Sequence, residues 1–505
     1  MKWTIEAAKT AVQGFIDDTP TSDIEVKDWT KTMDLENLSD KKCRIIEAAH
    51  LYLELEGIES TLSANPSDED YQKMLRCMHA FMTVGRDAVE GSLEGLKVQF
   101  QGPRMHAIFY KPYGDQAGMC ERAVAALCRL RTLVNGQLWE EFGDDYPNMT
   151  LYAGLDCGKA LVTSVGLGQD RAVLFIGDTA NRPAKTLATD TRKALVLASG
   201  ALDVLKEGKL KGFINEAEAT VNVTNGKKVL EALGYEEDPD DLSGTLSKCL
   251  EVYPLDRIGI SKLTTEVDWE RLGITNNKKV DASSIFADLS GFTAFVESRM
   301  DDEDSLKEAV QILHVIRREF VRVAGAYGYR RVAYQGDRLQ AVRRNDLLPE
   351  SDAAEAAFAL RSSLLEVVHD LLPGSKELNV SIGVKRGEIV LSIAGKKGYR
   401  DRVCLGKPAR AAAQLEERLG KGELAVGSNI HAQLPEAARY FFTYNETHKA
   451  YVNSKGSVAA FQTLLVDEKT HSFKQDTKRE SAGLIVVAEK GGIPVVNQNN
   501  SWSRD

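Results

Sequence analysis

The chain is written twice. "QFQGPRMHAIF" (Gln99 to Phe109) and "AYQGDRLQAVR" (Ala333 to Arg343) share an aromatic, a Gln-Gly pair, an arginine and an alanine in the same order. "LELEGI" (Leu53 to Ile58) matches "ADLSGF" (Ala287 to Phe292), and "AGLDCGKALV" (Ala153 to Val162) matches "IGVKRGEIVL" (Ile382 to Leu391). The intervals agree as well. Glu54 to Pro103 spans the same distance along the chain as Asp288 to Asp337, and Gly158 to Gly177 the same as Gly387 to Gly406. Self-similar blocks at fixed offsets mean one structural unit present in two copies. A chain of 505 residues is also too long for one ordinary core, so each copy is expected to build its own.

Each copy reads in the same coarse order. A β-rich run meets the turn at "LSGF", a long helical stretch follows (Asp304 to Ala324 in the second copy), and "RRVAYQGDRLQAV" has the pattern of a hairpin turning near Gln335-Gly336. Another helix and further short strands complete the unit. Strands and helices alternating without strict βαβ spacing predict an α+β fold, a sheet with helices on one side. The expected boundaries are an N-terminal helical extension (1–43), a first domain (44–235), a linker (236–279), a second domain (280–465) and a tail (466–505) able to add a strand. "GYEEDPDDLSG" (Gly234 to Gly244) supplies the linker's turn-rich composition.

Composition excludes several classes. The net charge of −10 argues against a nucleic-acid binder. The 7 cysteines include no CxxC pair, so structural zinc is not expected and a reducing compartment is. "MKWTIEAAKTAVQGFIDD" carries Glu6 and Asp17 and lacks a long apolar core, which fits an amphipathic helix better than a secretory signal. No apolar run reaches the length of a membrane span. The expectation is a cytoplasmic protein with no membrane partner.

Two aspartates carry the chemistry. Asp288 ends an apolar strand, where a carboxylate is costly. Asp337 follows Gly336 at a tight turn, which puts it on the rim of the same sheet. Two rim carboxylates can hold hard divalent cations that keep water and phosphate in their other positions. The amides of Leu289, Ser290, Gly291, Phe292 and Thr293, opening a helix, would cradle an anion. Metal and phosphate together point to a nucleoside triphosphate. As the blander alternative, Asp288 is simply a helix cap.

In this order and spacing the motifs resemble the class III nucleotidyl cyclases over roughly residues 45 to 200 and 280 to 440. "FADLSGFTAF" resembles that family's first metal motif and "GDRLQAV" its second; "FIGDTANRPAKTL" (Phe175 to Leu187) resembles the block bearing its transition-state Asn and Arg. The resemblance implies two cyclase-like sandwich domains in tandem, forming an intramolecular pseudo-heterodimer. It implies two cations, Mn²⁺ or Mg²⁺, held by Asp288, Asp337 and the Leu289 backbone, with Asn181 and Lys185 as catalytic residues. Lysine in the arginine position is a departure, a point charge in place of a planar fork. The copies have diverged in complementary ways. The first has Glu54 and Pro103 where the second has the aspartates, and the second has Arg410 and Gln414 where the first has Asn181 and Lys185. One working site, shared between the copies, and one degenerate site are therefore expected.

The family reads its base through two positions, which fall on Gln99 and Leu174. Neither fits the adenine or the guanine pattern. With "YQGDR", they resemble the pyrimidine cyclases of Pycsar antiphage systems, which implies UTP or CTP as substrate, a cyclic mononucleotide product and a separate effector that it activates. Two other readings stay open on the residues alone: an adenylate cyclase with an unusual pocket, and a non-catalytic nucleotide-binding regulator.

Overall fold

The computed structural model describes residues 2–31, 35, 38–63, 65–165, 172–188, 193–346, 349 and 351–465. The tail, 466–505, lies outside the described residues. The first copy supplies strands β1 (Glu25–Asp28), β2 (Lys42–Glu56), β3 (Leu96–Gln101), β4 (Arg104–Phe109), β5 (Thr150–Val165), β6 (Ala172–Ile176), β7 (Leu195–Leu197), β8 (Ile214–Asn215) and β9 (Thr220–Val221). The second supplies β10 (Ile260–Lys262), β11 (Asn277–Ser290), β12 (Arg330–Gln335), β13 (Arg338–Arg344), β14 (Asn379–Ala394), β15 (Asp401–Leu405), β16 (Leu424–Val426), β17 (Thr443–Asn445) and β18 (Ala450–Asn453).

The two sheets have the same topology. One runs β3-β4-β2-β5-β7-β9-β8, the other β12-β13-β11-β14-β16-β18-β17. In each, the first strand of the copy pairs in parallel with the second, β1 on β2 and β10 on β11. The stretch 236–279 is thus more than the expected linker, and the segment 1–43 more than a helical extension. Each contributes a strand too short to announce itself by alternation.

Side chains alternate across a strand, and the sheets use both faces. Ile382 and Val384 of β14 enter an apolar core with the long helix Glu303–Ala326. Gly383 and Gly387 face the other way, beneath a second helix, Lys407–Glu417. A Cβ on Gly387 would stand 2.7 Å from Pro408, and one on Gly158 3.0 Å from Thr179. Gly158 and Gly387 therefore lie within continuous strands, where the missing side chain gives a helix room to lie close. Helices cover both sides of each sheet, not one.

Each copy's leading segment crosses to the other copy. The N-terminal helix Ile5–Asp18 packs on the second copy, where Trp3 donates to Ser363 Oγ (2.7 Å) and Arg318 pairs with Asp18 (2.7 Å). The helix Leu242–Val252, which precedes the second copy, packs on the first copy's Asp68–Glu90 helix; Arg76 Nε donates to Tyr253 O at 2.8 Å. The apolar cores are shared in the same reciprocal way. Leu161, Leu174 and Ile176 join the second copy's core, and Val390, Val403 and Leu405 join the first's. Among the described residues, no helix is long and apolar enough to cross a membrane.

Candidate active site

Asp288 sits near the end of β11, opposite Ser381 of β14. Asp337 is the second residue of a two-residue loop closed by the Gln335–Arg338 pair, with Gly336 left-handed at φ 65°. The hairpin folds its tip back beside β11 and brings the two carboxylates together. Burial raises the pKa of both. Asp288 lies close enough to push Asp337 further up, while Arg338 and Lys185 oppose the rise on Asp288. Behind them lies buried Glu416, raised to about 8 by burial against the pull of Arg338, which it meets at 2.7 Å.

These two carboxylates fit a cation site. They supply hard oxygen ligands, and each is costly to ionise here without a cation. Among the described residues no three His, Cys, Asp or Glu side chains converge as a closed metal cage. That suits Mg²⁺ or Mn²⁺ held by one or two carboxylates and completed by substrate phosphate and water. Leu289 and Phe292 are each 2% exposed, so only their backbone can reach a ligand. Ser290 Oγ lies 2.8 Å from Ser381 Oγ. Gly291, left-handed at φ 91°, turns the chain into the short helix Phe292–Glu297.

The first copy completes the site. Gly177 ends β6 at φ 127°, and the helix Asp178–Ala188 starts there toward the second copy. Glu297 of the second copy accepts from the Asp178 amide at 2.5 Å and anchors that helix end. Asn181 Nδ2 donates to Thr293 Oγ1 at 2.8 Å, joining the predicted catalytic asparagine to the predicted phosphate loop. Lys185, one turn on, is exposed, and its charge acts on Asp288.

The two base-reading candidates do not converge. Gln99 Nε2 donates to Tyr334 O at 2.8 Å, and Gln99 lines a cavity of about 410 Å³ with Val173 and Phe175. Leu174, between those two, faces the opposite side of β6 into the shared core. Sequence reading missed two nearby groups. Lys421 Nζ donates to Glu377 O (2.7 Å) and stands 3.9 Å from where a Cβ on Gly291 would be. Buried Arg317 occupies a core position of its helix. The offset between the copies brings out Arg317, because the other copy has methionine there; nothing in the sequence marks Lys421.

The pseudo-symmetric position is filled differently. Arg104, the counterpart of Arg338, donates Nε and Nη2 to Glu54 Oε2 at 3.0 and 2.6 Å, so the one carboxylate at this position is already paired. Where Thr293 meets Asn181 in the first site, Glu59 here feels the charge of Arg410, and burial lifts Glu59 to about 6. The cleft between them measures about 220 Å³.

Residues 274–464 match the adenylate and guanylate cyclase catalytic domain. A uridylate cyclase from Pseudomonas aeruginosa is 25% identical over 95% of this chain and 96% of its own length. One from a Rhizobium species is 24% identical over 79% of this chain and 80% of its own. The crystal structure of a class III adenylyl cyclase-like ATP-binding protein from Pseudomonas aeruginosa superposes with a TM-score of 0.79 at 24% identity, covering 92% of this chain and 99% of that one. It has the same fold. The second copy, the one that holds both aspartates, is the part of this chain that matches the adenylate and guanylate cyclase catalytic domain.

Proposed function

We propose that the protein converts UTP to 3′,5′-cyclic UMP and pyrophosphate at the site between its copies. The observation that carries this reading is the Asn181–Thr293 hydrogen bond beside the paired aspartates, since a regulator that only binds nucleotide has no use for a transition-state asparagine held there. Two cations at Asp288, Asp337 and the Leu289 carbonyl would acidify the ribose 3′-hydroxyl and draw charge from the triphosphate. The chain's own groups do the positioning. Asn181 orients the ribose, the amides from Leu289 to Thr293 hold phosphate oxygens, and Lys185 meets the charge that grows as the 3′-oxygen displaces pyrophosphate from the α-phosphorus. Preorganised charge of this kind supplies most of the rate in phosphoryl transfer.

The choice of UTP rests on the two relatives called uridylate cyclases and on a pocket without the purine-reading residues. Incubation with each of the four NTPs and Mn²⁺, with products identified by mass, should give cyclic UMP as the main product. A cyclic purine as the main product, or no cyclic product from any NTP, overturns the reading. We read the product as an antiviral messenger for a separate effector, as in the systems the chain resembles. Protection of cells from phage that persists with Asp337→Ala would count against that role.

A further inference from the structure

The cavity of about 410 Å³ that Gln99 borders lies on the seam between the copies, and residues of both line it. Its walls include the strands β3 and β12, which end their sheets at equivalent places. Each ladder shifts register at the cavity, between Lys97 and Gln99 in the first copy and between Arg331 and Ala333 in the second. Such bulges re-aim side chains at a sheet edge. Lys97 and Arg331 stand at the same place in the two copies, and both line this one space. The copies have diverged at the metal and transition-state positions, yet each keeps a cation here. Asp288, Asp337, Asn181 and Lys185 are not among the lining residues, so the cavity is separate from the place of the proposed reaction.

The second copy adds Arg400 and Arg402 to the wall, and the lining carboxylates are Glu90 and Asp401. Lys97 meets Asp401 at 2.9 Å, and Arg86, beside the cavity, pairs with Glu90. Four cationic side chains against two carboxylates give the lining an excess of positive charge. Like charges brought together across an interface are costly, and here they come from both copies. A seam that only held the copies together would be apolar, as it is where Leu161, Leu174 and Ile176 enter the second core. An anion in the cavity would offset the excess.

Aromatic faces border the same space, Phe100 and Phe175 from the first copy and Tyr334 and Tyr399 from the second. Tyr399 is 50% exposed, with the Arg86 guanidinium 3.4 Å from its ring, so the cavity opens to solvent there. Guanidinium forks suit phosphate oxygens, and aromatic faces suit a base. The volume falls near the lower end of the usual range for small-molecule sites, about 300–1,000 Å³, which favours one base and one phosphate over a larger ligand. We propose that this cavity is a second nucleotide site, which takes a nucleoside monophosphate, cyclic or open, apart from the triphosphate at the aspartates. Its occupant would bridge β3 of one copy to β12 of the other and so fix the spacing on which the shared site depends.

Calorimetric titration of the full-length protein with 5′-UMP and with cyclic UMP, without divalent cations, tests this in the absence of turnover. At least one should bind, one per chain, and the tighter of the two tells whether the occupant is the cyclic product or a free monophosphate. Arg400→Gln and Arg331→Gln should each weaken that binding by about 10–100-fold, as loss of a hydrogen bond from a charged donor predicts. Lys185→Ala should keep it within about threefold. If the arginine variants lack a cooperative melt, wild type decides: hydrogen exchange with the nucleotide bound should slow at 97–100 and 399–402. Four results overturn the assignment: no binding of either nucleotide, inorganic phosphate bound as tightly as both, a loss in Lys185→Ala with none in the arginine variants, or protection confined to 178–188 and 288–293. Each would leave the uridylate reading standing, since the assay with the four NTPs tests that separately.

Discussion

At Asp337 the demands of stability and chemistry oppose each other. Burial and the neighbouring Asp288 raise its pKa, so ionising it costs folding free energy. Asp337→Ala should abolish cyclisation, a loss of at least about 10³-fold, yet leave the melting temperature of the cation-free protein unchanged or raised. Activity within tenfold of wild type, with Mn²⁺ saturating, would show that the carboxylate is not a ligand. The contrasting experiment lies in the other copy. The Pro103 side chain has no ligand atom and Glu54 is occupied by Arg104, so Pro103→Ala and Glu54→Gln should each keep kcat/KM within about threefold, since the pseudo-symmetric site they line plays no part in the chemistry. The aspartates were legible because spacing repeats in sequence. Arg317 was not, because a lone arginine in a helical run looks like a solvated face until the fold shows it buried.

The elements show what periodicity can and cannot carry. The long helix and the Gly-Asp hairpin were readable from local pattern, and the structure has both at Glu303–Ala326 and at β12–β13. The crossing of the leading helices was not, because an amphipathic face states that it must be covered and not by what. The crossing contacts include a proton-sensitive one. His79 Nδ1, in the first copy's helix, accepts from the amide of Gly395 in the second copy at 3.1 Å. Burial holds His79 down at about 4, and His314 likewise at about 4. An unfolded histidine takes its proton near 6.5, so the folded state is favoured above that pH and loses the advantage as pH falls from 6.5 through about 4. His79 alone contributes at most about 3 kcal/mol across that window. Urea denaturation at successive pH values should show stability falling on acidification, with a shallower fall in His79→Gln. An unchanged slope in the variant would mean that this imidazole is not held neutral.

At the scale of the whole molecule, the reciprocal crossings and shared cores leave neither copy a complete unit. Residues 1–240 would lack the helix Leu242–Val252 that covers the first copy's long helix, and residues 265–505 would lack β10 and the N-terminal helix that covers the second. Half-chains are therefore a poor test of the shared site, and intact chains a good one. Full-length Asp337→Ala retains Asn181 and Lys185; full-length Lys185→Ala retains both aspartates. If each chain closes on itself, every site in a mixture is broken and the mixture should be no more active than its components. If chains exchange halves freely, about a quarter of the sites would combine an intact half from each variant, and activity would rise toward that fraction of wild type. The apolar continuity from Leu161, Leu174 and Ile176 into the second core, and from Val390, Val403 and Leu405 into the first, favours closure within one chain. Separating the copies would expose both surfaces to water at once, whereas the covalent link keeps the partner copy at high effective concentration. Recovered activity that grows with incubation time and protein concentration would establish exchange and set the working unit as a dimer.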